Sequence, residues 1–319
     1  MPAPTKKATG PEVPDTDLLL VTVTKIEVEA LLAGFGTTAT KSRRIIDNKT
    51  YYDLGEIGGS RILMVRSEMG SGGVDGSFPT IDDAIRTLDP GAVIMVGIAF
   101  GVDPDKQRIG DVLVARQLQG YDLKKVGTDI ESEDRAEIVL LRDDRPSCSP
   151  RLLDRFRHGE LDWQGAGVAF DLMLSGSSLV DHIDYRDQLK KLVPEAVGGE
   201  MEGVGLYAAA HRHKVDWILV KAICDFADGN KKKDKKQRQQ LAAANAVAFV
   251  THVLKLGGLA KEGNQNDLIA AEAEKKYLRE LRKQCNYLPL GAMGGEQDFS
   301  EGISLDQVYV ELYTKTLIP

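Results

Sequence analysis

Apolar runs and helical repeats alternate along most of the chain. Each run ends in polar or glycine-containing sequence, and between the runs apolar residues recur every three or four positions, as in Val28, Leu31, Leu32 and Phe35. This spacing predicts helices, and continuous apolar strands between helices are typical of a sheet covered on both faces. The pattern therefore predicts an α/β fold. The predicted strands are residues 17–24, 61–67, 92–101, 110–118, 167–178 and 215–229, and a closing helix is predicted over 241–258.

The sequence divides into three parts. Residues 1–16 are rich in Pro, Thr and Lys and lack an apolar segment, so we expect a disordered lead. Residues 17–258 carry the α/β pattern and are predicted to be the main domain. Residues 259–319 are predicted to form a linker, an amphipathic helix and a connector, and a tail of this length must pack on another part of the chain or on a partner. The apolar stripe of that helix is Ile269, Ala273, Tyr277, Leu281 and Cys285.

Charge and composition exclude several classes of protein. The net charge of −7 argues against nucleic acid as the main partner, since duplex binding depends on neutralising phosphates. No apolar stretch approaches the ~20 residues that span a bilayer, so we expect no membrane association. The three cysteines form no CxxC pair, which favours a reducing, cytoplasmic location over a disulfide framework or a zinc site. No cofactor and no metal are predicted.

Three carboxylates stand at predicted strand ends or helix starts. Glu27 follows the first strand, Asp225 ends the last strand, and Glu202 begins the helix before it. In open α/β sheets, ligands bind outside the carboxyl ends of the strands. We therefore expect these three groups to act as catalytic residues of one site.

The three carboxylates suit cleavage of an N-glycosidic bond. A purine leaving group needs a proton at N7, which Asp225 could supply, and a carboxylate at Glu202 could accept both ribose hydroxyls. Glu27 could activate a water on the opposite face of the sugar, although Glu29 lies close by in the same segment. We expect Glu202 to have no protein partner, its predicted partner being the ribose. Glu200, by contrast, could simply be a charge at a helix N-terminus.

Apolar and glycine residues near these carboxylates are predicted to bind the substrate. The glycine-rich segment 70–76 does not match a dinucleotide fingerprint, but it could present backbone amides to an anion. The predicted contacts to base and sugar are Gly97, Ile98, Phe100, Leu179, Val180 and Met201. The candidate phosphate contacts are Arg43 and Arg44, together with Lys231 and Lys232 from the lysine-rich run 230–238. The alternative role of these residues is that of solvated charges.

The motifs "GGEMEGVGLYAAA" and "VKAICDFADG", preceded by "IMVGIAFGV" and "IGDVLVA", resemble the nucleoside phosphorylase/nucleosidase superfamily. The branch most similar to this chain is that of the methylthioadenosine/S-adenosylhomocysteine nucleosidases. The resemblance covers roughly residues 17 to 256 and implies a three-layer αβα fold with a central mixed sheet. It also implies the roles given above for Glu27, Met201, Glu202 and Asp225, and a homo-oligomer, either a dimer or a hexamer.

The chain departs from the pattern of this superfamily at three positions. Met95 stands where phosphorylases carry an arginine, and Ile98 stands where a serine would bind the anion. Both changes weaken a phosphate site, so hydrolysis is favoured over phosphorolysis. Ser177 replaces the aspartate of the usual "SGD", which predicts altered recognition of the base.

The tail resembles the connector that precedes the NTPase module of bacterial NLR-like (STAND/NACHT) proteins. The segments concerned are "YLRELRKQCNYLPL" and "ISLDQVYVEL", and no G-x-x-x-x-G-K-[ST] motif occurs in the chain. This resemblance implies the N-terminal effector domain of an antiviral defence protein, with a C-terminal NTPase or sensor module as its partner. Effectors of this type act on adenine nucleotides such as ATP, so the resemblance makes ATP the favoured candidate substrate.

Several functions remain open at this point. The chain could be a metabolic methylthioadenosine/S-adenosylhomocysteine nucleosidase or a purine nucleoside phosphorylase. It could also be a non-catalytic module that senses nucleosides or forms oligomers. The sequence does not decide between ATP, AMP, adenosine and methylthioadenosine as the substrate.

Overall fold

A computed structural model describes residues 14–128, 137–230, 234–261 and 273–280, together with two short strands at 287–288 and 303–304. The chain forms two compact units, Met1–Lys261 and Glu262–Pro319. The second unit contains a helix over residues 273–280 and the antiparallel strand pair Tyr287–Leu288 and Ile303–Ser304. Of the predicted amphipathic stripe, Ala273 and Tyr277 lie in this helix, and the other three positions lie outside the described residues.

A nine-stranded mixed sheet forms the centre of the first unit, and two further strands pair separately as a hairpin. The strands are β1 (Leu18–Thr22), β2 (Arg43–Ile46), β3 (Lys49–Ile57), β4 (Ser60–Arg66), β5 (Ala92–Gly101), β6 (Val112–Gly120), β7 (Lys124–Thr128), β8 (Glu137–Leu141), β9 (Val168–Ser175), β10 (Ala196–Glu200) and β11 (Asp216–Asp225). The order in the large sheet is β10-β9-β6-β11-β5-β1-β4-β3-β2, and β7 and β8 form the hairpin. A further antiparallel pairing of β10 with β5 closes part of the large sheet on itself.

Helices cover the sheet and give the three-layer αβα arrangement that the family resemblance implies. The helices are α1 (Lys25–Gly34), α2 (Ala39–Ser42), α3 (Ser77–Leu88), α4 (Pro150–Glu160), α5 (Ile183–Leu192), α6 (Gly203–His213) and α7 (Lys235–Lys255). One group consists of α1, α4 and α7, in which α7 packs on β5 and β11. The other group contains α3 and α6, which are in mutual contact.

Strand β5 is the centre of the core. It lies between β1 and β11, both of which run parallel to it. Val93, Ile94 and Met95 are fully buried, and burying a side chain of this kind stabilises the fold by about 1.5–3 kcal/mol. A strand buried on both faces needs a continuous apolar run, which is why the sequence pattern identified it.

The start of α6 is held against α3 by a close contact at Gly205. A Cβ atom on Gly205 would overlap with Ser77 Oγ and lie 2.7 Å from the backbone nitrogen of Phe78. Ser77 Oγ donates to the carbonyl oxygen of Glu202 at 2.7 Å, and Ser71 Oγ accepts from the Gly205 N–H at 3.1 Å. The glycine therefore lets two helices approach each other.

Candidate active site

The first unit contains an open cavity whose empty space, including solvent at its mouth, is about 840 Å³. It lies at the carboxyl ends of β1, β5, β10 and β11, where the sequence predicted a site. The acidic residues Glu27, Glu200, Glu202 and Asp225 are among those that line it. All four carboxylates are buried, between 2% and 8% exposed, so each must be matched by hydrogen bonds or by charge.

Glu27 is fixed by three backbone N–H groups. Its Oε2 accepts from Val23 at 2.9 Å and from Thr24 at 2.6 Å, and its Oε1 accepts from Ile98 at 2.8 Å. Thr24 and Glu27 together form a capping box at the start of α1. Because an oxygen of a carboxylate can accept two hydrogen bonds, Oε1 retains capacity for a further donor such as water.

Glu29, the alternative to Glu27, lies elsewhere. Its side chain is 57% exposed and forms an ion pair with Lys25 at 3.6 Å. Gly97 is not among the residues that line the cavity. A Cβ atom on Gly97 would overlap with Glu27 Oε1 and lie 3.1 Å from Lys221 Nζ. Gly97 therefore makes room for the Glu27 carboxylate, a different position from the substrate contact that the sequence predicted.

Glu202 has a protein partner, contrary to the prediction. Its Oε2 lies 3.2 Å from Nζ of Lys221, which is 1% exposed, and its Oε1 accepts the Gly70 N–H at 3.1 Å. The anion that the glycine-rich loop 70–76 binds is thus this carboxylate. Lys221 lies in the middle of β11, facing Gly97 on β5. The expectation of an unpaired carboxylate was wrong because the sequence does not reveal this lysine as a neighbour.

Lys221 carries a positive charge in the interior. Burial by itself would lower the pKa of Lys221, but the charges of Glu202, Glu200 and Glu27 outweigh burial and raise that pKa above its ordinary value. Nζ of Lys221 also lies 3.8 Å from Oε2 of Glu200. The lysine consequently supplies the counter-charge for the carboxylates around it.

Glu200 caps the start of α6. Its carboxylate accepts the N–H groups of Glu202 and Gly203, both at 2.9 Å. Burial raises the pKa of Glu200 above its usual value, and the charge of Lys221 opposes that rise. This arrangement agrees with the interpretation of Glu200 as a charge at a helix N-terminus.

Asp225 ends β11 and faces the same cavity. Its Oδ1 accepts the Ala227 N–H at 2.9 Å, and its Oδ2 accepts from Cys224 Sγ at 3.3 Å. The strand register with β5 shifts between Ile223 and Asp225. That irregularity turns the carboxylate toward the cavity at the end of the strand.

Apolar side chains complete the walls. Phe100 and Val180 are buried, whereas Leu179 is 64% exposed and Met69 is 52% exposed, so these two lie at the open mouth. The predicted contacts found in the lining are Ile98, Phe100, Leu179, Val180 and Met201.

The sequence profile of the Phosphorylase superfamily matches residues 17–255. This chain belongs to the Phosphorylase superfamily. The matched residues contain all four carboxylates and Lys221. The family predicted from the motifs is confirmed.

Curated relatives within the superfamily include two nucleosidases. A death domain-containing ATP nucleosidase from Amphimedon queenslandica is 29% identical over 256 residues, which cover 74% of this chain and 48% of that protein. A 5'-methylthioadenosine/S-adenosylhomocysteine nucleosidase from Staphylococcus epidermidis is 26% identical over 166 residues, covering 52% of this chain and 70% of that protein. The chain thus spans about half the length of the first relative.

Solved structures of superfamily members share the fold. The methylthioadenosine/S-adenosylhomocysteine nucleosidase of Neisseria meningitidis, in complex with methylthio-immucillin-A, has a TM-score of 0.60 at 20% identity and covers 75% of this chain and 99% of its own. Futalosine hydrolase of Helicobacter pylori has a TM-score of 0.62 at 19% identity, covering 75% and 97%. These likenesses confirm the predicted mixed-sheet αβα fold.

Other predicted features of this superfamily member can now be located. Arg43 and Arg44 lie on the edge strand β2 and are absent from the cavity lining; Arg44 is 3.5 Å from the Asp53 carboxylate. Lys231 and Lys232 lie outside the described residues. Ser177 donates its N–H and its hydroxyl to Asp122, both at 2.7 Å.

Sequence reasoning missed Lys221 and Gln239, and in the lysine-rich run 230–238 it selected Lys231 and Lys232 rather than Lys235. Lys221 lies within an apolar run, and a lysine in a strand buried on both faces is itself the signal that could have marked it. Lys235 and Gln239 line the cavity from the first turns of α7, which begins six residues before the predicted helix start. Within the described ranges no group of three His, Cys, Asp or Glu residues could hold a metal ion, and no helix could cross a membrane.

Proposed function

We propose that this protein is a hydrolytic N-glycosidase that releases adenine from an adenine nucleoside or nucleotide. The observation that carries the proposal is that Glu27, Glu202 and Asp225 line one cavity with apolar walls. The cavity combines apolar walls with a few convergent polar groups, as small-molecule sites commonly do. In the proposed reaction the bond from C1′ to N9 breaks, water adds to C1′, and a proton goes to the base.

Asp225 is the proposed general acid. It would donate its proton to N7 of the departing purine and so avoid expulsion of an anionic base. Asp225 is buried at the end of β11 and lines the cavity, so its carboxyl group can meet the base away from bulk water. Positioned proton transfer of this kind contributes about 10²–10⁴-fold in rate.

Glu202 is the proposed acceptor for the two ribose hydroxyls. Lys221 and the Gly70 N–H each occupy one of its oxygens, which leaves accepting capacity on both. An ionised carboxylate accepts hydroxyl protons more strongly than a neutral acid does. Met201, the residue before Glu202, would contact the sugar as the sugar gains positive character.

Glu27 is the proposed base that activates water. The water would lose its proton to Oε1 while its oxygen attacks C1′. A carboxylate at this position also repels phosphate. The backbone N–H of Ile98 donates to Glu27, so it is not available to bind a phosphate oxygen. Together with the buried Met95 in place of an arginine, this favours hydrolysis over phosphorolysis.

ATP is the proposed substrate. The support is the ATP nucleosidase among the relatives, which aligns with 74% of this chain. Methylthioadenosine is the second candidate, because the exposed apolar side chains of Met69 and Leu179 at the mouth suit a methylthio group. A module that only binds nucleosides would have no use for an acid at Asp225.

The resemblance of the tail to the connector of NLR-like proteins supports a role as an effector in antiviral defence. We propose that the chain works as a homo-oligomer coupled to a sensor or NTPase module. Depletion of adenine nucleotides in phage-infected cells that express the whole protein would support this role. Unchanged nucleotide levels would contradict it.

The test of the enzymatic proposal is chromatography of free adenine. The protein is incubated with ATP, AMP, adenosine and methylthioadenosine, each with and without phosphate. We expect adenine from ATP at the same rate with and without phosphate. Turnover that requires phosphate would show a phosphorylase, adenine from methylthioadenosine alone would show a metabolic nucleosidase, and no adenine from any substrate would contradict the proposal.

A further inference from the structure

The charges around the cavity are unbalanced. Four acidic residues line it, and Lys235 is the sole cationic residue among the described lining residues. Lys221 neutralises part of this charge from behind Glu202. A nucleotide phosphate entering such a cavity would meet repulsion unless a cation lies near its path.

Lys235 lies at the open mouth. It is exposed, and Gln239, four residues later and therefore on the same side of α7, is half-buried and also lines the cavity. The helix is anchored beneath them, where Ala242 and Ala246 are fully buried and the Asn245 side chain donates to the Gly110 carbonyl at 2.9 Å. The backbone that carries Lys235 is thus fixed relative to the cavity.

The cavity has a buried end and an open end. Phe100, Val180 and Asp225 are all less than 9% exposed, which suits an uncharged base. Phosphate groups carry charges that are costly to bury. A bound nucleotide would therefore direct its base inward and its 5′ substituent toward the mouth, where Lys235 lies.

We propose that Lys235 is the residue that selects 5′-phosphorylated adenine nucleosides over unphosphorylated ones. The inference rests on the proposed function and adds to it the origin of the substrate preference. The ammonium group would form a charge-assisted hydrogen bond with a phosphate oxygen. The side-chain amide of Gln239 would donate to the same group from the next turn.

The experiment compares kcat/KM for ATP, ADP, AMP and adenosine in the wild type, Lys235→Gln and Lys235→Arg. Lys236→Gln is the matched control, because Lys236 is adjacent and exposed but does not line the cavity. We expect Lys235→Gln to lower kcat/KM for the phosphorylated substrates by about 10–100-fold through KM, with adenosine unchanged. Lys235→Arg and Lys236→Gln should keep the wild-type preference.

Two outcomes would overturn the inference while leaving the proposed function intact. One is an unchanged ratio between ATP and adenosine in Lys235→Gln, and the other is an equal loss for all substrates. If the wild type releases no adenine, the proposed function fails, and calorimetric binding of ATP and adenosine decides the inference separately. Weaker ATP binding in Lys235→Gln with unchanged adenosine binding would support it, and equal ATP binding would refute it.

Discussion

At the scale of single residues, the pair of Lys221 and Glu202 is the most consequential feature of the site. Taking both charges out of water costs several kcal/mol per ion, which their attraction repays only when further hydrogen bonds are made. Here the Gly70 N–H donates to the second oxygen of Glu202, and Oε2 of Glu200 lies 3.8 Å from Nζ of Lys221. The pair is thus part of a buried network of charges and hydrogen bonds that holds one carboxylate toward the cavity.

Replacing Lys221 with an uncharged residue should destabilise the fold. We expect Lys221→Met to lower the free energy of unfolding by about 3–5 kcal/mol, because Glu202 and Glu200 lose their counter-charge. Lys236→Met is the control and should change it by less than about 0.5 kcal/mol. Denaturant titration measures both, and a loss below about 1 kcal/mol for Lys221→Met would mean that the pair is not tightly coupled. If that variant fails to fold, Lys221→Arg keeps the charge and should fold.

The carboxylates could be predicted from the sequence and their partners could not. Glu27, Glu202 and Asp225 stand at the ends of strongly patterned elements, and such ends converge on one edge of a sheet. The pairing of Lys221 with Glu202 depends instead on β11 lying beside β5 and on its register there. Local sequence carries no information on strand order, so this contact appears only in the folded chain.

At the scale of elements, the glycine-rich loop 70–76 and helices α3 and α6 set the position of Glu202. Such loops are hard to predict because their contacts are made by backbone groups. The predicted elements were those with continuous apolar runs. Sequence reasoning missed elements whose hydrophobic pattern is weaker. These are strands with mixed burial, such as β3 and the β7–β8 hairpin, and the charged helices α4 and α5.

The contact between α3 and α6 can be tested at Gly205. Alanine there would press on Ser77 and on the α3 backbone, and such overpacking costs about 1–3 kcal/mol, against roughly 1 kcal/mol gained in helix propensity. We expect Gly205→Ala to lower the free energy of unfolding and to reduce adenine release, because Glu202 begins the same helix. His211→Ala on the exposed side of α6 should leave both unchanged. A Gly205→Ala variant as stable and as active as the wild type would show that the contact does not set the position of Glu202.

At the scale of the whole molecule, the first unit extends slightly beyond the predicted domain end at residue 258. Leu259 is 1% exposed, and the Lys261 N–H donates to Oδ1 of Asp17 at 2.8 Å. These contacts join the end of the unit to the start of its first strand. The domain boundaries themselves remain a prediction.

Two truncations test that boundary. A chain ending at Lys261 should fold as stably as the first unit does in the full chain and should keep adenine release. A chain ending at Lys255 should lose about 2–4 kcal/mol, since burial of a leucine contributes about 1.5–3 kcal/mol and a hydrogen bond about 1 kcal/mol. Denaturant unfolding of both compares them directly. Equal stability would place the boundary before Leu259.

General-acid cleavage by Asp225 is tested most directly by adenine release from ATP in phosphate-free buffer, compared between the wild type, Asp225→Asn and Asp228→Asn. Asparagine cannot donate the acid's proton, so we predict a loss of about 10²–10⁴-fold in kcat for Asp225→Asn. Asp228 lies three residues further along and outside the cavity lining, so its variant should retain wild-type turnover. Full activity in Asp225→Asn, or an equal loss in both variants, would contradict general-acid cleavage at this site.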